Sequence, residues 1–108
     1  MRIIIAGAFA IGSYLAKLLS RNKQEVVLMD QDEEKLGKLA IDYDLLTMHA
    51  SATSIRSLKE ARVEDTDLFI AVTPDESYNM TACGLAKALG AKKLSLIHIS
   101  EPTRPISI

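Results

Sequence analysis

Two glycines and an aspartate near the start of the chain have the types and the spacing of a phosphate- and ribose-binding site. Gly7 and Gly12 flank a short turn, and Asp30 follows 23 residues after Gly7. A glycine turn that opens a helix presents N–H groups to an anion, helped by the helix dipole. A carboxylate about 20 residues further on accepts hydrogen bonds from both ribose hydroxyls. It also repels a 2′-phosphate, so we expect NADP to be disfavoured.

The elements around these residues must follow the order strand, turn, helix, strand. The apolar run from Ile3 predicts a buried strand over 2–6, and residues 25–29 predict a second one that leads into Asp30. Apolar spacing predicts a helix over 10–21 between them, with one apolar face made of Ile11, Tyr14, Leu15, Leu18 and Leu19. This is the nucleotide-binding opening of a Rossmann unit.

Phe9 departs from that opening. The pattern is Gly-x-Gly-x-x-Gly, and the chain has Gly7, Phe9 and Gly12 at those positions. The middle glycine normally lets the backbone approach the pyrophosphate, whereas Phe9 adds a Cβ and a ring. Nucleotide binding therefore depends largely on where Phe9 points.

The rest of the chain continues the alternation of strand and helix. Thr73, Pro74 and Glu76 form a capping box with proline at the first helical position, and Gly90 suits the end of that helix. We expect an α/β fold, a doubly wound parallel sheet in the order 3-2-1-4-5. The further predicted elements are helices over 33–40, 54–61 and about 74–89, and strands over 45–48 and 68–72.

Composition excludes several classes of protein. The 13 Lys and Arg nearly balance the 14 Asp and Glu, without a basic patch for nucleic acid. The apolar run after Arg2 is too short for a signal peptide, and no segment approaches the roughly 18–20 apolar residues that span a bilayer. Cys83 is the single cysteine, so an internal disulfide is excluded. We expect one soluble, cytoplasmic domain.

The closing residues break the pattern. Residues 94–105 resemble a translated transposase-type sequencing adapter, and we hypothesise that the native sequence ends near Lys93. The alternative is a genuine strand over 94–99 followed by a proline-rich end. In either case residues 94–99 are apolar enough to fill the fifth strand position. His98 lies in this tail and is given no role.

Residues 1–93 resemble the nucleotide-binding N-domain of bacterial Trk potassium-uptake regulatory proteins, the TrkA-N (KTN or RCK) family. The block from Ala71 to Asn79 is more specific to this family than the glycine motif, which many dehydrogenases share. The other segments that carry the resemblance are 3–8, 13–19, 28–33, 58–61, 67–70, 79–83 and 86–93.

The resemblance implies a peripheral, cytoplasmic regulatory subunit, not an enzyme. Such a subunit binds NAD(H) or ATP/ADP, gates a membrane potassium transporter subunit, and forms a homo-oligomer in the full-length protein. It implies phosphate contacts at the glycine turn, ribose binding by Asp30, and a cap and ligand-edge position for Thr73. The implied cofactor-binding residues are Gly7, Ala8, Phe9, Ala10, Ile11, Gly12, Asp30, Asp32, Ser51, Ala52 and Thr73.

Several alternatives remain open from the sequence. The family often has Gly-Asp-Ala-Thr after the third strand, and here residues 49–53 lack that acid. The glycines could serve packing alone, Asp32 could be only a helix cap, and His49 a loop residue. An NAD-dependent oxidoreductase fragment and a degenerate Rossmann module that only dimerises are the competing functions. Cys83, Met29, Met48 and Met80 are expected in the core.

Overall fold

The alternating strands form one parallel sheet with helices on both faces. The computed structural model of the chain describes residues 1–97. The strands are β1 (Arg2–Ala6), β2 (Glu25–Asp30), β3 (Leu46–His49), β4 (Leu68–Ala71) and β5 (Lys93–Leu96). The helices are α1 (Ala10–Arg21), α2 (Glu33–Asp42), α3 (Ile55–Glu60) and α4 (Glu76–Ala88), with a short 3₁₀ helix at Val63–Asp65.

The strand order is β3-β2-β1-β4-β5, which confirms the predicted fold. Ile3 of β1 pairs in parallel with Val26 of β2 on one side and with Leu68 of β4 on the other. The chain therefore places β2 and β3 on one side of β1 first, and then crosses over to place β4 and β5 on the other side. Such a reversal opens a crevice at the carboxyl ends of the strands, where ligands bind in this class of fold.

Side chains of β1 alternate between two cores, one on each face of the sheet. Ile4 packs with Leu58 of α3 and Ala82 of α4. Ile3 and Ile5 pack with Ala16 of α1 and Leu36 of α2. Because a parallel sheet is buried on both faces, its strands read as continuous apolar runs, as residues 3–6 do.

Helix α1 packs through smaller residues than the predicted apolar face contains. Gly12 and Ala16 are its buried residues, and Leu15 and Leu19 flank the core. The rest of the predicted face was wrong: Tyr14 is 63% exposed, and Ile11 and Leu18 are also exposed. Close approach requires small side chains at the contact, so the helix turns Gly12 and Ala16, rather than its largest residues, toward the sheet.

The start of the last helix also corrects the sequence prediction. Helix α4 begins at Glu76, and its cap is Asp75, whose Oδ1 accepts from the Tyr78 N–H. Thr73 was predicted as the cap, but it lies two residues too early and bonds to other groups. Pro74 likewise precedes the helix rather than opening it.

Most of the remaining core predictions hold. Met29 is buried, Met48 packs against the core, and burial raises the pKa of the Cys83 thiol. Met80 was also expected in the core, and it is exposed.

Strand β5 pairs with β4 from Leu68–Lys93 to Ala71–Leu96. Backbone pairing at a sheet edge accepts any extended segment that places apolar side chains correctly, so pairing does not reveal the origin of the segment. The proline-rich part of the tail and His98 lie outside the described residues.

The adapter hypothesis for residues 94–108 stays a prediction. Sequencing the locus by an independent method tests it, and we expect the adapter-like codons to be missing. A continuous native frame through Pro105 would contradict the hypothesis.

Two glycines bring α1 against the end of β1. Gly7 has a φ of +122°, and a Cβ there would lie 2.7 Å from the Val72 carbonyl oxygen. A Cβ on Gly12 would lie 1.8 Å from the Gly7 carbonyl oxygen, a distance at which atoms overlap. Both glycines are therefore required by the fold itself, whatever binds there.

We predict that Gly12→Ala destabilises the domain by about 1–3 kcal/mol or more, because the added methyl group overpacks a rigid backbone contact. Urea unfolding measures this change. The matched control is Gly37→Ala in α2, where a Cβ has nothing within 4 Å. That variant should gain about 0.5–1 kcal/mol from helix propensity. Equal stability of the two variants would contradict the packing account.

Candidate functional site

A cleft of about 800 Å³ opens at the carboxyl edge of the sheet. It lies where the loops after β1, β2, β3 and β4 converge, at the reversal of strand order described above. The residues that line it are Gly7, Phe9, Met29, Asp30, Gln31, Asp32, Glu33, Glu34, Lys35, His49, Thr73, Pro74, Asp75 and Tyr78.

The Asp30 carboxylate is fixed at the floor of this cleft. Asp30 ends β2 and is 9% exposed. Its Oδ2 accepts from the Ala8 N–H at 2.7 Å, and its Oδ1 accepts from the Asp32 N–H at 2.7 Å. A carboxylate has about four acceptor positions, so each oxygen keeps capacity for a further donor. The side chain thus joins the glycine turn to the start of α2 and still offers two oxygens to a ligand diol.

The amino terminus of α1 differs from those of the other helices. Asp32, Ser54 and Asp75 cap α2, α3 and α4 with side-chain oxygens. Phe9 occupies the corresponding position of α1 and caps nothing, and the first turn of α1 contains no acid. The first N–H groups of a helix lack intrahelical acceptors. Those of α1 directly follow Phe9 of the cleft lining and have no side-chain cap within residues 1–97, which suits an anion.

Phe9 turns its ring toward α2. The ring is 38% exposed, and the Lys35 Nζ lies 4.0 Å from its centroid. This is a cation–π contact that spans the cleft from the start of α1 to the first turn of α2. The side chain therefore forms part of the cleft wall.

The cleft lining carries more negative than positive charge. Its acidic members are Asp30, Asp32, Glu33, Glu34 and Asp75, against one lysine, Lys35. Asp32, Glu33 and Glu34 lie at the start of α2, where the helix dipole stabilises negative charge. A ligand with hydroxyl donors suits this side of the cleft, and a second phosphate on the ribose does not.

Asn79 clamps the loop after β4. Asn79 is 3% exposed; its Oδ1 accepts from the Thr73 N–H at 2.9 Å, and its Nδ2 donates to the Thr73 carbonyl at 2.8 Å. The Thr73 hydroxyl donates to the same Oδ1 at 2.7 Å and accepts from the Asp75 N–H at 3.2 Å. The amide therefore satisfies both backbone groups of Thr73 where the strand has ended, and fixes this wall of the cleft.

The predicted site residues fall into three groups. Gly7, Phe9, Asp30, Asp32 and Thr73 line the cleft together.

Ala8, Ala10, Ile11 and Gly12 lie in the turn and the first turn of α1. The Ala8 N–H is taken by Asp30, and the cleft lining includes none of these four residues.

Ser51 and Ala52 lie outside the lining, although the Ala52 N–H donates to the hydroxyl of Tyr78, which does line it. Their binding role, like that of every site residue, stays a prediction.

Sequence reasoning missed several lining residues. His49 lies opposite Asp30 in the β2–β3 register, and its Nε2 is 3.0 Å from the Gln31 carbonyl, a bond that requires the Nε2–H tautomer. In the sequence, the position of His49 at the end of a predicted strand was the feature that could have placed it at the cleft. Lys35 and Tyr78 gave no such signal, because each reads as an ordinary helix residue until the helices are placed.

The fold and its cleft define a Rossmann-type domain. By structure, the chain resembles UDP-glucose 4-epimerase of Thermus thermophilus in its complex with NAD, with a TM-score of 0.64 and 14% identity over 87% of this chain and 36% of that one. The chain belongs to the TrkA-N domain family, whose model matches residues 3–104.

Curated relatives agree with this assignment. The Trk system potassium uptake protein TrkA of Halomonas elongata is 39% identical over 99 residues, which are 90% of this chain and 21% of that protein. The TrkA homolog of Archaeoglobus fulgidus is 32% identical, over 98% of this chain and 24% of that protein. The chain thus spans about a quarter or less of these two relatives. Both are named for potassium uptake and neither for catalysis, in line with the prediction of a non-enzyme.

Across residues 1–97 the helices are too short or too polar to cross a membrane.

We predict that Asn79→Ala lowers the free energy of unfolding by about 2 kcal/mol or more, because it leaves the buried N–H and carbonyl of Thr73 unpaired. Urea unfolding at neutral pH measures it. Asn22→Ala is the control: the Asn22 amide bonds to the Leu18 carbonyl at an exposed helix end, where about 0.5 kcal/mol or less is expected. Losses of similar size in both variants would contradict the clamp.

Proposed function

We propose that this domain binds an adenine nucleotide, NAD(H) or ATP/ADP, in the carboxyl-edge cleft. The observation that carries the proposal is the Asp30 carboxylate, oriented by two backbone N–H donors beside a helix that starts without a side-chain cap. A diol-binding acceptor next to an anion-binding helix start is the chemical pairing that an adenosine phosphate requires.

In this proposal the ribose hydroxyls donate to Asp30, and the phosphates accept from the N–H groups at the start of α1. The Thr73 loop, held by Asn79, closes the side toward β4. The acidic start of α2 faces the ribose and disfavours a 2′-phosphate. The proposal is also supported by a Rossmann-type neighbour of known structure, the Thermus thermophilus epimerase, which was solved in complex with NAD.

We further propose that the longer protein regulates bacterial potassium uptake. The relatives are named as Trk potassium uptake proteins, and this chain covers about a quarter or less of two of them. Nucleotide binding in this domain would then control a membrane potassium transporter subunit from the cytoplasmic face, within a homo-oligomer.

A second candidate is a degenerate module that associates without a nucleotide. Two observations favour it: packing alone explains both glycines, and Ile11, Tyr14 and Leu18 form an exposed apolar row on α1. It is the weaker candidate, because the two backbone bonds of Asp30 leave acceptor positions on both its oxygens open at the floor of the cleft, and association alone gives no use for them.

Asp30→Asn tests the first proposal. We expect it to weaken binding of NADH or ADP by about 1.5–3 kcal/mol, because a hydrogen bond to a charged group is lost. Calorimetric titration measures the affinity. The amide keeps one acceptor oxygen for one of the two backbone N–H groups and leaves the other without a partner, so the urea unfolding of the variant is recorded beside its affinity.

Asp44→Asn is the control, since Asp44 lines a separate hollow near the amino ends of β2 and β3. It removes the same charge from the chain and should leave the affinity unchanged. An Asp30→Asn variant that folds and binds as tightly as the wild type would remove Asp30 from the site. A wild type that binds no adenine nucleotide would favour the degenerate module.

A further inference from the structure

We infer that Lys35 is the cationic contact for the phosphates of the bound nucleotide, and that Phe9 is the positioning residue that holds its ammonium group at the cleft. This inference rests on the proposed function and deepens it. It also assigns a purpose to the residue that departs from the glycine pattern.

Lys35 is held by one contact at its backbone and by another at its ammonium group. Its backbone N–H donates to the Asp32 cap at 3.3 Å, which fixes the first turn of α2. Its Nζ lies 4.0 Å from the centroid of the Phe9 ring, at the start of α1. Within residues 1–97, no carboxylate forms a salt bridge with it. The ammonium therefore stands beside the uncapped helix start, stabilised by a ring face and free to accept an anion.

The negative charge of the cleft lining makes a cation necessary for phosphate binding at this site. Five carboxylates line the cleft, and a diphosphate would add further negative charge. The partial positive charge of the α1 terminus is about half an elementary charge. Lys35 supplies a full charge on the same side, and among the lining residues it is the only lysine or arginine.

Phe9 explains how the cation reaches that position. A glycine at this position would leave the ammonium without a partner across the cleft. The contact is partly exposed, and such cation–π contacts are weak. Because an ammonium has three N–H donors, it can stay on the ring face and donate to a phosphate oxygen at the same time, and the ring restricts it to the cleft before binding. The Phe9 side chain prevents the close backbone approach to the phosphates that a glycine would allow. The positioned charge of Lys35 compensates for that loss.

ADP carries phosphates and adenosine does not, so the comparison of their affinities separates phosphate recognition from adenosine recognition. Lys35→Met keeps the aliphatic stem and removes the charge. We expect its affinity for ADP to fall about tenfold, the loss typical of a charged hydrogen bond, and its affinity for adenosine to stay unchanged. Lys38→Met is the matched control, because Lys38 is exposed on the same helix and lies outside the cleft lining. Calorimetry with ADP and with adenosine gives the affinity ratio for each variant.

Phe9→Leu tests the positioning role. We expect ADP affinity to fall about threefold, the size of an exposed cation–π contact, with adenosine affinity unchanged. In the Lys35→Met background the same substitution should have no further effect on ADP. A residue that merely supported the fold would lower affinity equally in both backgrounds.

The outcomes distinguish the two proposals. A wild type that binds neither ADP nor NADH overturns the proposed function and this inference together. A wild type that binds ADP, with an unchanged ADP-to-adenosine ratio in Lys35→Met, overturns this inference alone. A Phe9→Leu loss that persists in the Lys35→Met background overturns the role of Phe9.

Discussion

The contact between Gly7 and Gly12 is the constraint on which the rest of this domain depends. A Cβ on Gly12 would overlap the Gly7 carbonyl, and a Cβ on Gly7 would press on the Val72 carbonyl. Their absence lets α1 begin directly above the end of β1 and next to β4. That placement directs the start of the helix at the edge of the sheet, and it opens the space that becomes the cleft.

Polar side chains then fix the walls of the cleft. Asp30 joins the end of β2 to the glycine turn, and Asn79 holds Thr73 after β4. Both side chains are buried and held by bonds to the backbone, and Asp30 keeps free acceptor positions, so both are part of the structure before any ligand arrives. Preorganised acceptors lose little entropy on binding, so the same bonds that stabilise the edge also prepare it for a ligand.

The strands, which depend on apolar runs, could be predicted from the sequence. The buried face of α1, the cap of α4 and the role of Lys35 depend on tertiary contacts and were missed. The continuous apolar runs of β1, β2 and β4 predicted strands buried on both faces of a parallel sheet, and the alternation of strands with helices predicted its order. The face of α1 was partly wrong, since Gly12 and Ala16 contact the sheet and small residues carry little hydrophobic signal. The cap of α4 was wrong because Thr73, a good cap by type, is held by Asn79 instead. Lys35 entered the site only through its contact with Phe9 at the start of α1, a tertiary contact that local sequence does not encode.

Chemical-shift mapping by NMR during titration of the wild-type domain with NADH and with ADP tests the central claim most directly. The account predicts saturable shifts of the backbone amides at 7–12, 30–35 and 73–75, the segments that surround the cleft. It predicts none around Ser20 to Val26 and Asp44 to Leu46 at the opposite edge of the sheet. An unchanged spectrum with both nucleotides, or shifts confined to that opposite edge, would contradict it.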